Sequence, residues 1–334
     1  MRYEIGFTLV LLLFLGDGLR AQVGPDCKMD FEELTSDSMT HFFATCDLGR
    51  KRLFVTGEHH HAQSTNFVTQ TYLQYLIDDG RLKYIFLETG RSFSDGLNKY
   101  YQTGDQAYLK WLLEVYRRDY PSYHDLYTGI LEYSRAKSLP IQFVGVDVEY
   151  HTPGAIHSIL DHYAALLTPE EVATLRSFCR EDLEQKTNRE KVDQFREALW
   201  QRLASSEVGG EGAKLLEILQ GMEDYRRNWG QRDRLMFEKI AKTLERDTAD
   251  HTAYFSVGLR HLGAKKTALK NVRYYLLKAF GRAEILLSML NYQHCLRLNG
   301  SAIKPVDKKR TTRKRYALER GKEAFDLWIT VNGQ

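Results

Sequence analysis

Beyond its first fifteen residues the chain has no run near the ~20 apolar residues that a bilayer-spanning helix needs, so no stable membrane insertion is expected. Net charge is only +3 at pH 7, too little to argue for a nucleic-acid partner. The densest basic cluster, Lys308-Lys309-Arg310 with Arg313-Lys314-Arg315, has no interleaved aromatics and reads as a solvated loop between two late elements. Cysteine is scarce: Cys27, Cys46, Cys179 and Cys295 are the only four, and none forms a C-x-x-C pair. That disfavours a zinc knuckle and a dithiol redox centre. In an oxidising compartment the four allow three full pairings, of which Cys27 with Cys46 is the cheapest loop to close. The G-x-S-x-G elbow is absent, because Gly90-Arg91-Ser92-Phe93-Ser94 lacks its second glycine. There is no H-E-x-x-H, no Walker A loop, and no G-x-G-x-x-G after a strand, which disfavours nucleotide and dinucleotide chemistry.

What is present begins with a leader-like segment. Arg2 supplies a positive start, Ile5 to Leu15 an apolar run, and Leu19-Arg20-Ala21 a small-residue cleavage site ahead of Gln22. The expectation is a signal peptide over residues 1–21 and an exported protein, periplasmic or secreted. The rest is 43% apolar over the whole chain and 12% aromatic, ample for a core.

Four apolar runs have strand length: Leu53 to Thr56, Tyr84 to Leu87, Ile141 to Val146 and Ala253 to Val257, with later ones at Ala283 to Met289 and Phe325 to Val331. The first four are continuous rather than alternating, as strands buried on both faces of a parallel sheet are. Between them lie helical patterns. Ser64 or Thr65 caps a stripe of Phe67, Val68, Tyr72, Tyr75 and Leu76 that stops at Gly80, and further helices are expected over Tyr108 to Tyr116 and Leu126 to Leu139. From about Pro153 to Arg246 no strand is evident, and Thr168-Pro169-Glu170-Glu171 is a capping-box helix start. Ser205 to Gly212, with three glycines, should break this stretch. The predicted fold class is α/β, a mainly parallel central sheet flanked by helices, with a helical insertion. Residues 22–152 and 247–334 form the α/β domain and 153–246 the insertion.

Four strand ends carry ionisable residues: Gly57-Glu58-His59-His60-His61, Glu88, Asp147-Val148-Glu149 and Gly258-Leu259-Arg260-His261. Ligands of open α/β sheets bind outside the carboxyl ends of the strands, so four such ends together suggest a cleft, with Gly57 and Gly258 as bending points. Each residue also has a plainer reading. The histidine run could be an exposed polar turn, Glu88 an ion pair with Arg91 or Arg232, His261 a satisfied loop residue, and Arg232-Asp233 a solvated helix end. Against these, imidazole and carboxylate together supply general bases or metal ligands, and Arg232 could hold a substrate anion or an oxyanion. Asp147 is expected to support an Arg or a His.

At these positions the chain resembles the erythromycin-esterase/TIKI/TraB/ChaN-like superfamily. Gly57-Glu58-His59-His60-His61 matches both G-x-x-H and G-E-x-x-H. Glu88 stands for the acidic residue after the second strand, Arg232-Asp233 with Met236 for an R-D-x-x-M helix, and Gly258-Leu259-Arg260-His261 for the late G-x-x-H. The esterase-like branch implies an ester, lactone or amide hydrolase using Glu58, His61, Glu88, Arg232 and His261. The TIKI-like branch implies a metallopeptidase with a divalent metal ion on His60, Glu88 and His261, and the ChaN-like branch a haem- or metal-binding protein without catalysis. The partner implied is a small-molecule or peptide substrate.

Overall fold

The computed structural model describes residues 28–31, 35–45, 51–58, 63–108, 121–183, 185–206, 209–247, 251–262, 270–292, 298–299, 302–303, 314–319 and 327–333. The leader-like segment 1–21, the three histidines 59–61, most of the helix expected over Tyr108 to Tyr116, and Cys27, Cys46 and Cys295 lie outside them. Cys179 is described as an exposed free thiol.

The eight strands of the main sheet are β1 (Lys28–Phe31), β2 (Leu53–Glu58), β3 (Leu82–Leu87), β4 (Gln142–Gly145), β5 (Thr252–Gly258), β6 (Ile285–Tyr292), β7 (Lys314–Glu319) and β8 (Leu327–Gly333). The spatial order is β1-β7-β8-β6-β2-β5-β3-β4. All pairings from β8 to β4 are parallel, and β7 and β1 are added antiparallel. The central strands are the apolar runs of the sequence. Leu53, Phe54 and Val55 are at most 1% exposed, as burial on both faces requires.

β1 and β7 depart from the sequence reading. Lys314 and Arg315 were expected in a solvated loop, yet they open β7, whose residues pair with β8 at Val331↔Tyr316 and Trp328↔Glu319. An antiparallel strand near a sheet edge can carry charges on its solvent face, and this hides it from a search for apolar runs.

The helices in chain order are α1 (Ser36–Thr45), α2 (Gln63–Asp78), α3 (Arg91–Thr103), α4 (Pro121–Ala136), α5 (Thr152–His162), α6 (Pro169–Phe178), α7 (Lys186–Ala204), α8 (Gly210–Arg227), α9 (Arg232–Glu245) and α10 (Val272–Glu284). α2 stops where Gly80 takes φ +77°. α6 starts with the reciprocal box, Thr168 N–H donating to Glu171 at 2.8 Å and Glu171 N–H to the Thr168 hydroxyl at 3.2 Å. One face of the sheet packs Phe54, Ile85 and Tyr254 against α1, α2, α3 and α4. The other packs Val55, Phe86 and Phe255 against Met236, Ile240 and Leu244 of α9 and Val272 and Leu276 of α10. The helices α5 to α8 bury a separate core of their own, including Ile156, Leu199, Leu215 and Ile218. Thus, of the strandless stretch, α9 belongs to the layer covering the sheet. It brings Arg232 to the carboxyl ends of the strands, while at its far end Leu244 O accepts from Arg52, the residue before β2, at 2.6 Å.

Candidate functional site

Strands β2, β5, β3 and β4 are spatial neighbours, so their carboxyl ends form one rim. Register places Glu58 beside Gly258 and Leu87 beside both Ser256 and Gly145. Gly57 and Gly258 sit inside their strands and neither has a positive φ, so they are not bending points. Gly258 serves through its backbone: its N–H donates to Glu88 Oε2 at 2.6 Å. Close approach matters instead at Gly145, where an added Cβ would fall 2.1 Å from the carbonyl oxygen of Gly90.

Glu88 is the hub. Its Oε1 accepts from Arg232 Nη2 and lies 3.1 Å from His261 Nε2, the same length in each case. Arg91, the other partner considered for Glu88, turns away to Asp95 and Glu217 at 2.8 and 2.7 Å. Arg232 also makes a fork with Asp147, Nε donating to Oδ1 at 2.8 Å and Nη2 to Oδ2. A cation in the first turn of a helix opposes the macrodipole, so Arg232 is held there by its contacts rather than by helix preference. Burial disfavours its charge, but the bonds to Asp147 outweigh that and raise its pKa. Its Nη1 has no hydrogen-bond partner among the described residues, and its guanidinium lies 4.2 Å from the Trp229 ring centre.

His261 is gripped between two carboxylates, Nδ1 by Asp233 and Nε2 by Glu88. Burial works against its charge, but these hydrogen bonds prevail and push its pKa up to about 9. It is therefore an imidazolium near neutral pH, with both ring nitrogens donating. That bears on the expected metal set. A metal needs a neutral imidazole lone pair, whereas His261 has both nitrogens engaged and Glu88 Oε1 already faces two cationic donors. In this arrangement Glu88 Oε1 and both ring nitrogens of His261 are thus engaged by protein partners. His60 and His61 lie outside the described residues.

Glu58 ends β2 at 5% exposure and accepts from Ser256 Oγ at 2.6 Å. Asp147, fully buried just past β4, accepts from the neighbouring Val148 N–H at 2.8 Å, and its carbonyl accepts from Lys239 at 2.7 Å. Glu149, grouped with it in the sequence, points the other way. Its carboxylate caps α3 through Ser92 N–H at 2.8 Å and Ser92 Oγ at 2.6 Å. Burial raises its pKa, opposed by those two bonds, and this makes it a structural cap.

Glu58, Glu88 and Arg232 line a cavity of about 370 Å³, in the range of small-molecule sites. The sequence reading missed its aromatic wall: Tyr127, Tyr150, Tyr225 and Trp229. The signal was there in the spacing, since Tyr225, Trp229 and Arg232 recur at helical intervals of four and three. Burial, with the charges of Glu58 and then Tyr150 nearby, keeps the Tyr127 phenol protonated. Thr69, Thr89 and Tyr254 also line the cavity and are at most 5% exposed. Burial raises the Tyr254 pKa to about 12, tempered by the hydroxyls of Thr56 and Thr69.

No protein-family model and no curated protein matches this sequence. Among solved structures, the chain is similar to a succinoglycan biosynthesis protein at 15% identity and TM-score 0.60, over 91% of this chain and 94% of that one. It is similar to an erythromycin esterase mutant in its open conformation at 13% identity and TM-score 0.58, over 87% of this chain and 95% of the other. A Bacillus cereus protein aligns at 12% identity and TM-score 0.57, over 92% and 96%. At such identities the likeness is one of fold: the chain has the erythromycin-esterase-like α/β fold, nearly end to end.

Proposed function

We propose that this chain is a hydrolase of esters, lactones or amides, exported by the segment ahead of Gln22, with its reaction at the Glu58–Glu88–Arg232–His261 rim. The observation supporting it most is the convergence on one small cavity of the Glu58 carboxylate, which accepts from Ser256, and the Arg232 guanidinium, whose Nη1 has no partner among the described residues. The erythromycin esterase that shares the fold is a hydrolase by its name, which is consistent with this reading.

Each group takes a role that its contacts allow. Glu58, whose recorded partner at Oε2 is the neutral Ser256 hydroxyl, accepts a proton from water, with His61 three residues on as the other base suggested by the sequence. The water oxygen attacks the carbonyl carbon, and the π electrons move onto the carbonyl oxygen. The oxyanion is met by Arg232 Nη1, which is pre-aimed by the Asp147 fork and therefore needs little reorganisation. Collapse breaks the bond to the alkoxide or amine, which leaves with the proton held on the base. Glu88 and His261 do not touch the reacting atoms in this scheme. They form a charged strut, Asp233–His261–Glu88–Arg232, that fixes the oxyanion donor.

The test is turnover of 4-nitrophenyl esters, simple lactones and anilides by the purified chain. Glu58→Gln should lower kcat by about 10²–10⁴-fold with the fold intact. Unchanged kcat in both Glu58→Gln and His61→Ala would overturn the base assignment.

A further inference from the structure

We infer that Lys239 is a positioning residue of the rim: acting through the Asp147–Val148 peptide group and the Asp147 carboxylate, it holds the Arg232 guanidinium in its aim at the cavity. This deepens the hydrolase reading and rests on it only for the consequence for turnover; the hold on Arg232 is argued from contacts alone.

Arg232 and Lys239 stand seven residues apart on α9, about two helical turns, so they share one face of the helix. Both reach Asp147, by different ends. Arg232 takes the side chain, Nε donating to Oδ1 at 2.8 Å. Lys239 takes the main chain, Nζ donating to the carbonyl at 2.7 Å. A single peptide group joins the two ends. Its oxygen accepts from Lys239, and its N–H, that of Val148, donates to the same Oδ1 at 2.8 Å. A peptide group is planar, so fixing its oxygen fixes the direction of its N–H. The path from Lys239 to Arg232 therefore runs from ammonium to peptide plane to carboxylate oxygen to guanidinium. A cation on the oxygen also polarises the group and strengthens its N–H as a donor.

Among the described residues no other group donates to the Asp147 carbonyl. The neighbouring main-chain donors are spent elsewhere, the Asp147 N–H on the Thr89 carbonyl at 2.9 Å and the Glu149 N–H on the Gly221 carbonyl at 3.1 Å. Asp147 is fully buried, so without Lys239 its carbonyl would turn toward another donor and carry the Val148 N–H off Oδ1. A helical lysine ordinarily takes its ammonium out to water. Lys239 turns it inward, where burial pulls its pKa down against the opposing charges of Glu149, Asp147, Glu217 and Asp224. Its hydrogen bond nonetheless goes to the carbonyl rather than to any of these four carboxylates, which sets it apart from a simple charge compensator.

Proton–nitrogen NMR of the arginine side chains in the full chain reads the hold without turnover. The Arg232 Nε–H signal is identified by its loss in Arg232→Met. Arg91 is the internal control, since its Nε donates to Asp95 at 2.8 Å and its Nη1 meets Glu217, which also feels the Lys239 charge. In Lys239→Met the Arg232 signal should shift and exchange with water several-fold faster while that of Arg91 stays put. Lys239→Arg, which keeps a charged donor, should retain most of the wild-type signal. On the best ester, Lys239→Met should lower kcat about tenfold with little change in KM, less than the ~10²-fold expected for loss of the donor itself. Should Lys239→Met fail to fold, Lys239→Gln, one atom shorter, takes its place with the same expected shift. An unmoved Arg232 signal would overturn the inference, and so would an equal change at Arg91, the mark of diffuse charge or general loosening. A moved Arg232 signal with unchanged kcat, or in a chain that cleaves no ester, would refute the part of Arg232 in the hydrolase reading and leave this one standing. A fall in kcat with the Arg232 signal unmoved would do the reverse.

Discussion

The most exacting consequence of the site concerns Asp147→Asn. Asp147 is completely buried and holds Arg232 in a two-point fork, while Arg232 is 16% exposed at its side chain and keeps one further bond, to Glu88. Removing one partner of a buried pair typically costs ~3–5 kcal/mol, because the survivor is left as a poorly compensated charge. Here Glu88 still faces Arg232 and some water reaches it, which argues for the lower side, about 2–3 kcal/mol. For a chain of this size that is a fall in Tm of about 3–5 °C. The assay is urea unfolding of four proteins: wild type, Asp147→Asn, Arg232→Met and the double variant. Since the loss comes from an uncompensated charge, the double variant should be more stable than the sum of the two singles by at least ~1 kcal/mol. A drop below ~0.5 kcal/mol for Asp147→Asn, or strict additivity, would refute the reading of Arg232 as a clamped donor.

Other outcomes follow from the same contacts. The His261 pKa rises from 6.5 to about 9, so the stability it adds is complete below about 6.5 and is lost as pH climbs through about 9. Melting temperature measured from pH 6 to 10 should fall at the alkaline end, and His261→Gln should flatten that fall. Arg232→Lys keeps the charge but not the planar fork, so kcat on the best ester should drop about 10²-fold with little change in KM; an unchanged kcat would dismiss Arg232 as the oxyanion donor. Gly145→Ala sets a methyl against the backbone of Gly90 and should destabilise by about 1–3 kcal/mol, read by the same urea titration. Thr168→Ala removes half of a capping box and should cost about 1 kcal/mol without touching turnover.

Much of the sheet was legible because burial on both faces leaves an unbroken apolar signature, as in Leu53 to Val55 or Tyr84 to Leu87. β7 was not, because it opens with Lys314 and Arg315, which break the apolar pattern, and an antiparallel strand near a sheet edge can carry such charges. Among the site residues, Glu58, Glu88, Asp147 and His261 could be picked out together because each follows an apolar run, and strand ends are where an α/β sheet binds ligands. The aromatic wall was overlooked because Tyr225 and Trp229 belong to a polar helical region, where an aromatic at helical spacing ordinarily means core.

By itself, the sequence marked the central strands that are buried on both faces, their mainly parallel run, and the ionisable groups that stand at their carboxyl ends. It did so because these are local matters of hydrophobic period and punctuation. Only the tertiary structure decided how those groups are spent. With β5 inserted between β2 and β3, and α9 laid over the other face, Glu88 meets both Arg232 and His261. A histidine that the sequence offers as a metal ligand, a catalytic-site residue or a satisfied loop residue is instead gripped between two carboxylates, which favour its charged form. That choice depends on charges packed together from distant parts of the chain, and pairwise electrostatics in a buried site is set by distance in space rather than along the sequence.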